Sequence, residues 1–279
     1  MTQLSIIILS YNVERLLLGC LASLYGAKKR SDDWEIIVID NASSDNSVAQ
    51  VKKHFPKVKL IVNKTNTGFA AGNNFGIKKS SGKYVLLLNP DTLVYANSIS
   101  SVLNYMQSHP KVGAATCRVE LPDGSLDYSC HRGFPNPTNS FLHFVGFKKL
   151  SSYTSQYIPN YPHEIDALTG AFAFIRRQAG RQAGWLDEDY FWNGEDIDFC
   201  YKLKENGWQV VYIPEIKITH YKGASAMATK DTRLAWAKNS TGVMSLFYRK
   251  HLAQKYPFFV NWSVYLGIWI LKLFRLIRS

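Results

Sequence analysis

The first ninety residues alternate between short runs that are apolar throughout and longer stretches with apolar side chains every three or four positions. LSIIILS (4–10), WEIIVID (34–40), KLIVN (59–63) and YVLLLN (84–89) are short and rich in Ile, Val and Leu, and they predict four buried strands. Between them, VERLLLGCLASLYGA (13–27), SSDNSVAQVKKHF (43–55) and GFAAGNNFGIKKS (68–80) carry helical periodicity, the second with a Ser or Asp cap. Strands buried on both faces and separated by helices predict an α/β fold with a mostly parallel central sheet flanked by helices. Further on, WQVVYIP (208–214) and EIKITHYKGASA (215–226) predict two more strands, the second ending at His220. Residues 120–165 are rich in turn formers and aromatics with little periodicity, which marks a functional or mobile segment and suggests a cover over a cleft.

In such sheets ligands bind beyond the carboxyl ends of the strands. The residues there are Ser10-Tyr11-Asn12, Asp40-Asn41, Asn63 to Gly68, and Asn89-Pro90-Asp91. Any one group of this kind also makes turns and caps; four in succession at one edge predict a site. The first turn lacks GxGxxG, and no GxxxxGK[ST] occurs, so neither a dinucleotide fingerprint nor a P-loop is present. Tyr11 offers a ring for stacking on a base, and Asp40 a carboxylate for a base N–H or a ribose hydroxyl. Gly68, Gly72 and Gly76 share one helix face, as close packing on a strand requires, and that packing would bring Asn73, Asn74 and the loop Asn66 to Gly68 near phosphates or a sugar. Asp91 suits a hard divalent cation, Mg²⁺ or Mn²⁺, facing a diphosphate leaving group.

The second half contributes DEDYFWNGEDIDFCYKLKENGW (187–208). Asp196 is a candidate general base towards a hydroxyl, and Glu195 a group that positions the acceptor. An acidic first turn also complements a helix dipole, which accounts for part of this cluster. Tyr190, Phe191 and Trp192 beside the acids suit an exposed sugar-binding platform. His220 falls at a strand end, where a lone histidine is either structural or a ligand.

Composition changes this picture only at the C-terminus. With 46% hydrophobic and 19% charged residues, the chain reads as globular. Its four cysteines form no CxxC pair and read as thiols of a reducing compartment. MTQLSIIILSYN lacks the features of a signal peptide, so a cytoplasmic location is expected. The net charge is +12, and after Asp231 no acid occurs while Arg233, Lys238, Arg249, Lys250, Lys255, Lys272, Arg275 and Arg278 follow. YPFFVNWSVYLGIWILKLFRLIRS (256–279) mixes aromatic and aliphatic residues with cations, and its longest apolar piece, 264–271, is short for a spanning helix. An interfacial helix on an anionic membrane surface fits this composition; packing on its own domain or oligomerisation is the alternative. No nucleic-acid motif accompanies the charge.

SYN (10–12), IDNASSDNS (39–47), NTGFAAGNNFG (66–76), LLNPDT (87–92), TGAF (169–172), FWNGEDIDFCYK (191–202) and HYKGAS (220–225) together resemble the inverting family 2 glycosyltransferases of GT-A fold, and most of all their rhamnosyltransferase-like branch. The resemblance runs over about residues 3 to 250. It implies a nucleotide site of Ser10, Tyr11, Asn12, Asp40, Asn41, Asn66, Gly68, Phe69, Asn73, Asn74, Asn89 and Asp91. Asp91 stands at the DxD-type metal position with His220 as a further ligand, and Asn89 replaces the first acid of that motif. Asp196 is implied as the base, with Thr169, Gly170, Trp192 and Glu195 on the acceptor side. Residues 1–238 are then a catalytic domain, its donor half about 1–115 and acceptor half about 116–238, and 239–279 a basic, aromatic helical extension. The partners implied are a dTDP- or UDP-sugar, a glycan or lipid-linked acceptor, and the cytoplasmic face of the membrane, with no nucleic acid. The favoured donor is dTDP-rhamnose, ahead of a UDP-hexose or UDP-galactofuranose. A nucleotidyltransferase would need a Gly-rich, basic first turn that SYNVERLLLG lacks. A catalytically silent sugar-nucleotide-binding protein at the membrane surface is the alternative from another class.

Overall fold

A computed structural model describes residues 2–29, 33–144, 146, 147, 151, 153, 158–191, 193–223 and 230–278. The predicted strands form as β1 (Leu4–Ser10), β2 (Trp34–Asp40), β3 (Lys59–Val62) and β4 (Tyr84–Leu88). They alternate with α1 (Glu14–Ala27), α2 (Ser47–His54) and α3 (Phe69–Lys78). Next come β5 (Thr92–Val94), α4 (Ser98–Ser108), β6 (Val112–Glu120), a single 3₁₀ turn (Tyr128–Cys130) and α5 (Pro137–Phe144). Then follow β7 (His163–Glu164), β8 (Phe172–Arg176), α6 (Arg177–Gln182), α7 (Glu195–Glu205) and β9 (Gln209–His220). The strands build one nine-stranded sheet in the order β3-β2-β1-β4-β8-β6-β9-β5, with β7 on β9.

Strands β1 to β4 are parallel, as the alternation with helices predicts: β1 pairs with both β2 and β4, and β2 with β3, but β3, expected to be buried, lies at the sheet edge with Lys59 and Val62 exposed. Beyond β4 the sheet is mixed, because β8 runs antiparallel to β4 and to β6 while β6 and β9 are parallel. Register places the polar strand ends on one edge. Ser10 lies opposite Asp40, Asp40 opposite Val62, and Thr92 opposite His220. The two strands predicted over 208–226 are one strand, β9, with a register shift where Cys117 faces Ile213 and Arg118 faces Lys217. Pro214, with no N–H to donate, lies within the shifted stretch. The segment 120–165, predicted to be irregular, contains the 3₁₀ turn, α5 and β7.

The helix-face glycines pack as expected. A Cβ on Gly72 would lie 2.5 Å from the Leu9 side chain, and one on Gly76 would lie 2.5 Å from Ile7. α3 therefore sits directly on β1. Gly76→Val should cost about 1–3 kcal/mol through overpacking; an unchanged melting temperature would contradict this contact.

The C-terminal region consists of α8 (Lys230–Phe247), a π turn (Tyr248–Leu252), a 3₁₀ turn (Ala253–Lys255) and α9 (Phe258–Arg278). The expected division at 238/239 thus falls inside α8. α9 folds back along α8: Tyr248 Oη donates to Asn261 Oδ1 (2.6 Å), and Arg275 Nη1 donates to Ser240 Oγ (2.5 Å). Part of the tail's charge serves this docking. Lys250 pairs with Asp187 and Asp189, and His251 Nε2 lies 2.6 Å from Asp198 Oδ1 on α7. α9 is also long and apolar enough to cross a membrane by length and composition, and Phe258, Trp262, Trp269 and Ile277 are exposed.

Candidate active site

The donor edge is assembled by loops that bond to one another. Asn12 adopts φ +53° and joins the first turn to the second, donating N–H to Ser43 Oγ (3.0 Å) and accepting from Ser44 N (2.7 Å). Tyr11 beside it is exposed. Ser10 and Asp40 are buried at the strand ends. Ser10 Oγ and Asp40 Oδ1 have no hydrogen-bond partner in the protein, whereas Asp40 Oδ2 accepts from Ser43 N. Unpaired buried oxygens at one edge are what a ligand's N–H and O–H groups would satisfy.

Several residues expected to touch the nucleotide hold the loops of this edge in place. Asn41 is buried, bonds Asn66 through Nδ2 (2.7 Å), and accepts from Asn63 and from Thr67 N and Oγ1. Asn66 Oδ1 also accepts from Gly68 N. Asn74 donates to Leu186 O and Glu188 Oε1 and accepts from Leu186 N, so its amide anchors the 186–188 loop. Asn73 bonds back to Phe69 O within α3. The reason is shared: amides at the end of a buried sheet are recruited by unpaired backbone groups of neighbouring loops. Asn74→Ala should lower the melting temperature, since it leaves the buried backbone groups of Leu186 without their partner. Gly68, at φ +82°, packs under Phe191, where a Cβ would lie 2.7 Å from the ring. Phe69 N donates to Phe191 O (3.0 Å), so the first amide of α3 is engaged within the protein.

Asp91 is buried just beyond β4, and its Oδ1 lies 3.2 Å from His220 Nε2. The other ring nitrogen of His220 faces Asp127 Oδ2 at 3.4 Å, and Asp127 Oδ1 accepts from Lys222 Nζ (2.7 Å) and Ser129 N (3.0 Å). Burial opposes the charge on His220, but Asp127 and Asp91 outweigh it and raise its pKa to about 9. Burial would likewise raise Asp127, yet the bonds from His220, Lys222 and Ser129 hold it well below the usual carboxylate range. The donor set fits a divalent ion. Adjacent ligands of an octahedral ion at 2.0–2.1 Å are about 3 Å apart, and a ligating histidine with its second nitrogen on a carboxylate is a recurring arrangement. Among the described residues no group of three or more ligating side chains occurs, so water and ligand oxygens would complete the shell.

Across β8 lie the residues expected on the acceptor side. Asn89 N donates to Ala171 O (3.1 Å), and Gly170 N donates to Asp196 Oδ2 (3.3 Å). The three residues Thr169 to Ala171 therefore stand between the Asp91 strand end and the first turn of α7. Thr169 Oγ1 accepts from Ala171 N, closing this turn. Arg132, absent from the sequence-based candidates, donates Nη2 to Asp196 Oδ2 (2.6 Å) and to Leu168 O. Burial works against the guanidinium charge, but Asp196 prevails and keeps it protonated. Glu195 is buried with Oε2 unpartnered. Burial, reinforced by Asp196, pushes its pKa up to about 8. Its folded value exceeds its unfolded one, so the protonated acid favours the fold and stability falls as pH rises from about 4.5 through 8. Glu195→Gln should therefore raise the melting temperature at pH 8 and leave it nearly unchanged at pH 4; equal effects at both would overturn the assignment.

Tyr190 is fully buried, so it contributes packing and not an exposed platform: a Cβ on Gly194 would lie 3.1 Å from its ring, and Lys250 Nζ lies 5.6 Å from the ring centroid. Phe191 is exposed, and Trp192 lies outside the described residues. Asp198, the third acid, is held low despite burial by His251 and Lys202, and docks the tail. Asp127 and Arg132 carry no motif; their one signal was a carboxylate and a guanidinium in a long stretch without periodicity. A separate basic recess of about 390 Å³ lined by Lys83, Arg176, Arg177 and Arg181 lies at the opposite sheet edge. Arg176 and Arg177 there donate to backbone carbonyls, which accounts for their charge.

The model of the family described as "Glycosyl transferase family 2" matches residues 5–183. The N-acetylglucosaminyl-diphospho-decaprenol L-rhamnosyltransferase of Mycobacterium tuberculosis is 28% identical over 238 residues, 79% of this chain and 76% of that one. Rhamnosyltransferase WbbL of Escherichia coli is 26% identical over 219 residues, 75% and 81% of the two chains. Among solved structures, the mannosyltransferase PcManGT from Pyrobaculum calidifontis, in complex with GDP-Man and Mn²⁺, superposes with a TM-score of 0.61 at 17% identity, covering 98% of this chain and 72% of that one.

Proposed function

The chain belongs to glycosyl transferase family 2, and from that premise we propose that it moves L-rhamnose from dTDP-rhamnose to a hydroxyl of a glycan or lipid-linked acceptor in cell-surface polysaccharide assembly. Two rhamnosyltransferases among its relatives support the sugar. One observation carries the reaction: Asp91 and Asp196 flank the same three-residue segment, joined to it through Asn89 N and Gly170 N. The donor diphosphate then lies towards Asp91 and the acceptor hydroxyl towards Asp196. Asp196 takes the hydroxyl proton, the oxygen attacks the anomeric carbon, and the bond to the diphosphate oxygen breaks on the opposite face, inverting the configuration. Ser10 and Asp40 hold the nucleoside, and Tyr11 stacks on its base. A cation held by Asp91 and His220 would neutralise charge developing on the leaving diphosphate. An imidazole beside a carboxylate favours Mn²⁺ over Mg²⁺, which prefers oxygen alone. Release of nucleotide from dTDP-rhamnose, UDP-glucose and UDP-galactofuranose, together with thermal shifts by dTDP, UDP and GDP, tests the donor. Preference for a UDP-sugar would overturn the rhamnosyl reading.

The tail supports a seat at the cytoplasmic face of the membrane. α9 meets Tyr248 of the π turn through Asn261 and Tyr265, meets α8 through Arg275 and Ser240, and leaves Phe258, Trp262, Trp269 and Ile277 exposed. A helix held along the globular body lies in the interface plane, with Lys272 towards anionic headgroups. The double variant Trp262→Glu, Trp269→Glu should lose binding to vesicles containing phosphatidylglycerol while keeping its melting temperature. Undiminished vesicle binding would refute this seat.

A further inference from the structure

The segment 127–132 touches both ends of the candidate site, and none of its residues is accounted for by the metal or base assignments. Asp127 N donates to Val119 O (2.8 Å), and its side chain faces His220 Nδ1 while accepting from Ser129 N and Lys222. Five residues on, Arg132 pairs its backbone with Ala167 in both directions, at 3.2 and 2.9 Å, immediately before the Thr169–Ala171 turn. Between these ends the chain is pinned to the sheet. Cys130 is fully buried, and His131 Nε2 lies 2.7 Å from Nε2 of His163 on β7. Histidine tautomers are consistent along this contact: His163 Nδ1 can donate to Tyr161 O (2.7 Å), which leaves its Nε2 to accept from His131.

We propose that residues 127–132 form a strut with two positioning residues, Asp127 holding His220 against Asp91 and Arg132 holding the Asp196 carboxylate towards the acceptor. The inference rests on the glycosyl-transfer reading and adds the atom that reacts. Asp196 Oδ2 accepts from both Arg132 and Gly170, whereas among the described residues Oδ1 accepts only from Ile197 N (2.8 Å). A carboxylate oxygen has about two acceptor positions, so Oδ2 is saturated and Oδ1 receives the acceptor proton. Asp127 acts one bond further out at the other end. With Nδ1 of His220 directed to Asp127, Nε2 is the nitrogen presented to Asp91 and to a cation there.

The two ends predict separable defects. Arg132→Gln should lower kcat for nucleotide release from the donor about 100-fold, the loss expected for a misplaced reacting group, with affinity for dTDP or UDP in the presence of Mn²⁺ changed less than twofold. Arg132→Lys, which restores the charge, should recover part of kcat. Asp127→Asn should weaken Mn²⁺-dependent nucleotide binding about 10- to 100-fold, read by calorimetry and by Mn²⁺ electron paramagnetic resonance, with a smaller change in kcat at saturating donor. Circular dichroism identifies any variant that fails to fold; the lysine variant and the binding measurement on Asp127→Asn still decide. Wild-type Mn²⁺–nucleotide affinity in Asp127→Asn, wild-type kcat in the Arg132 variants, or equal losses of binding and kcat in both would overturn the strut. Asp196→Asn run alongside separates the readings: if it stays active, the base assignment fails, whereas an inactive Asp196→Asn beside fully active Arg132 variants rejects the strut alone.

Discussion

Asp196→Asn should lower kcat for sugar transfer by about 10³-fold, within the range that a positioned general base contributes, while leaving nucleotide affinity nearly unchanged. The amide preserves size and can keep an oxygen on Arg132 and Gly170 N, so the surroundings of Arg132 and the Thr169–Ala171 turn persist. What disappears is the oxygen able to take a proton. The substitution also removes the negative neighbour that helps raise Glu195, so Glu195 ionises more readily in the variant. Should Glu195 substitute for the lost base, activity would return as pH rises; its buried position behind the turn argues that it does not. Measurement of kcat and KM for nucleotide release separates these outcomes. A variant that retains transfer at neutral pH would remove Asp196 from the mechanism.

Asp91→Asn should reduce kcat/KM by two to three orders of magnitude, with most of the loss in Mn²⁺-dependent nucleotide binding. The position that bears the first acid in a two-carboxylate motif is Asn89, which offers no carboxylate and whose backbone N–H is engaged by Ala171 O. Asp91 is therefore the carboxylate at this end of the site, with His220 beside it and Asp127 behind. Two protein ligands make a weak cation site without phosphate oxygens. Wild-type protein should accordingly show little Mn²⁺ affinity alone and a marked gain with dTDP or UDP, and Asp91→Asn should lose the gain. A variant stabilised by Mn²⁺ plus nucleotide as strongly as wild type in a thermal-shift titration would reject the assignment.

Periodicity made the donor half readable. β1 and β2 match their predicted bounds, because buried parallel strands need apolar side chains on both faces and leave polar residues only where the chain exits. The glycine spacing likewise announced that α3 would sit close against a strand, and that strand is β1. The acceptor half was less legible. β8 enters antiparallel between β4 and β6, a choice made by long-range pairing that no local pattern encodes. The residue types of Asn41 and Asn74 suited ligand contact and loop support equally, and only the positions of Asn63, Thr67 and Leu186 revealed the support.

By itself, the sequence determined the parallel sheet of β1 to β4 and its polar carboxyl edge with Asp40 and Asp91, and it singled out Asp196 and His220 as candidates, because these follow from local periodicity and from motifs a few residues long. Only the tertiary structure decided that His220 meets Asp91 across the β5–β9 register, that Asp127 and Arg132 support the two ends, and that His251 docks the tail on Asp198. Those contacts join residues tens of positions apart. Their energies come from burying charges that must find partners, and the partner is chosen by chain topology, which no short stretch of sequence contains.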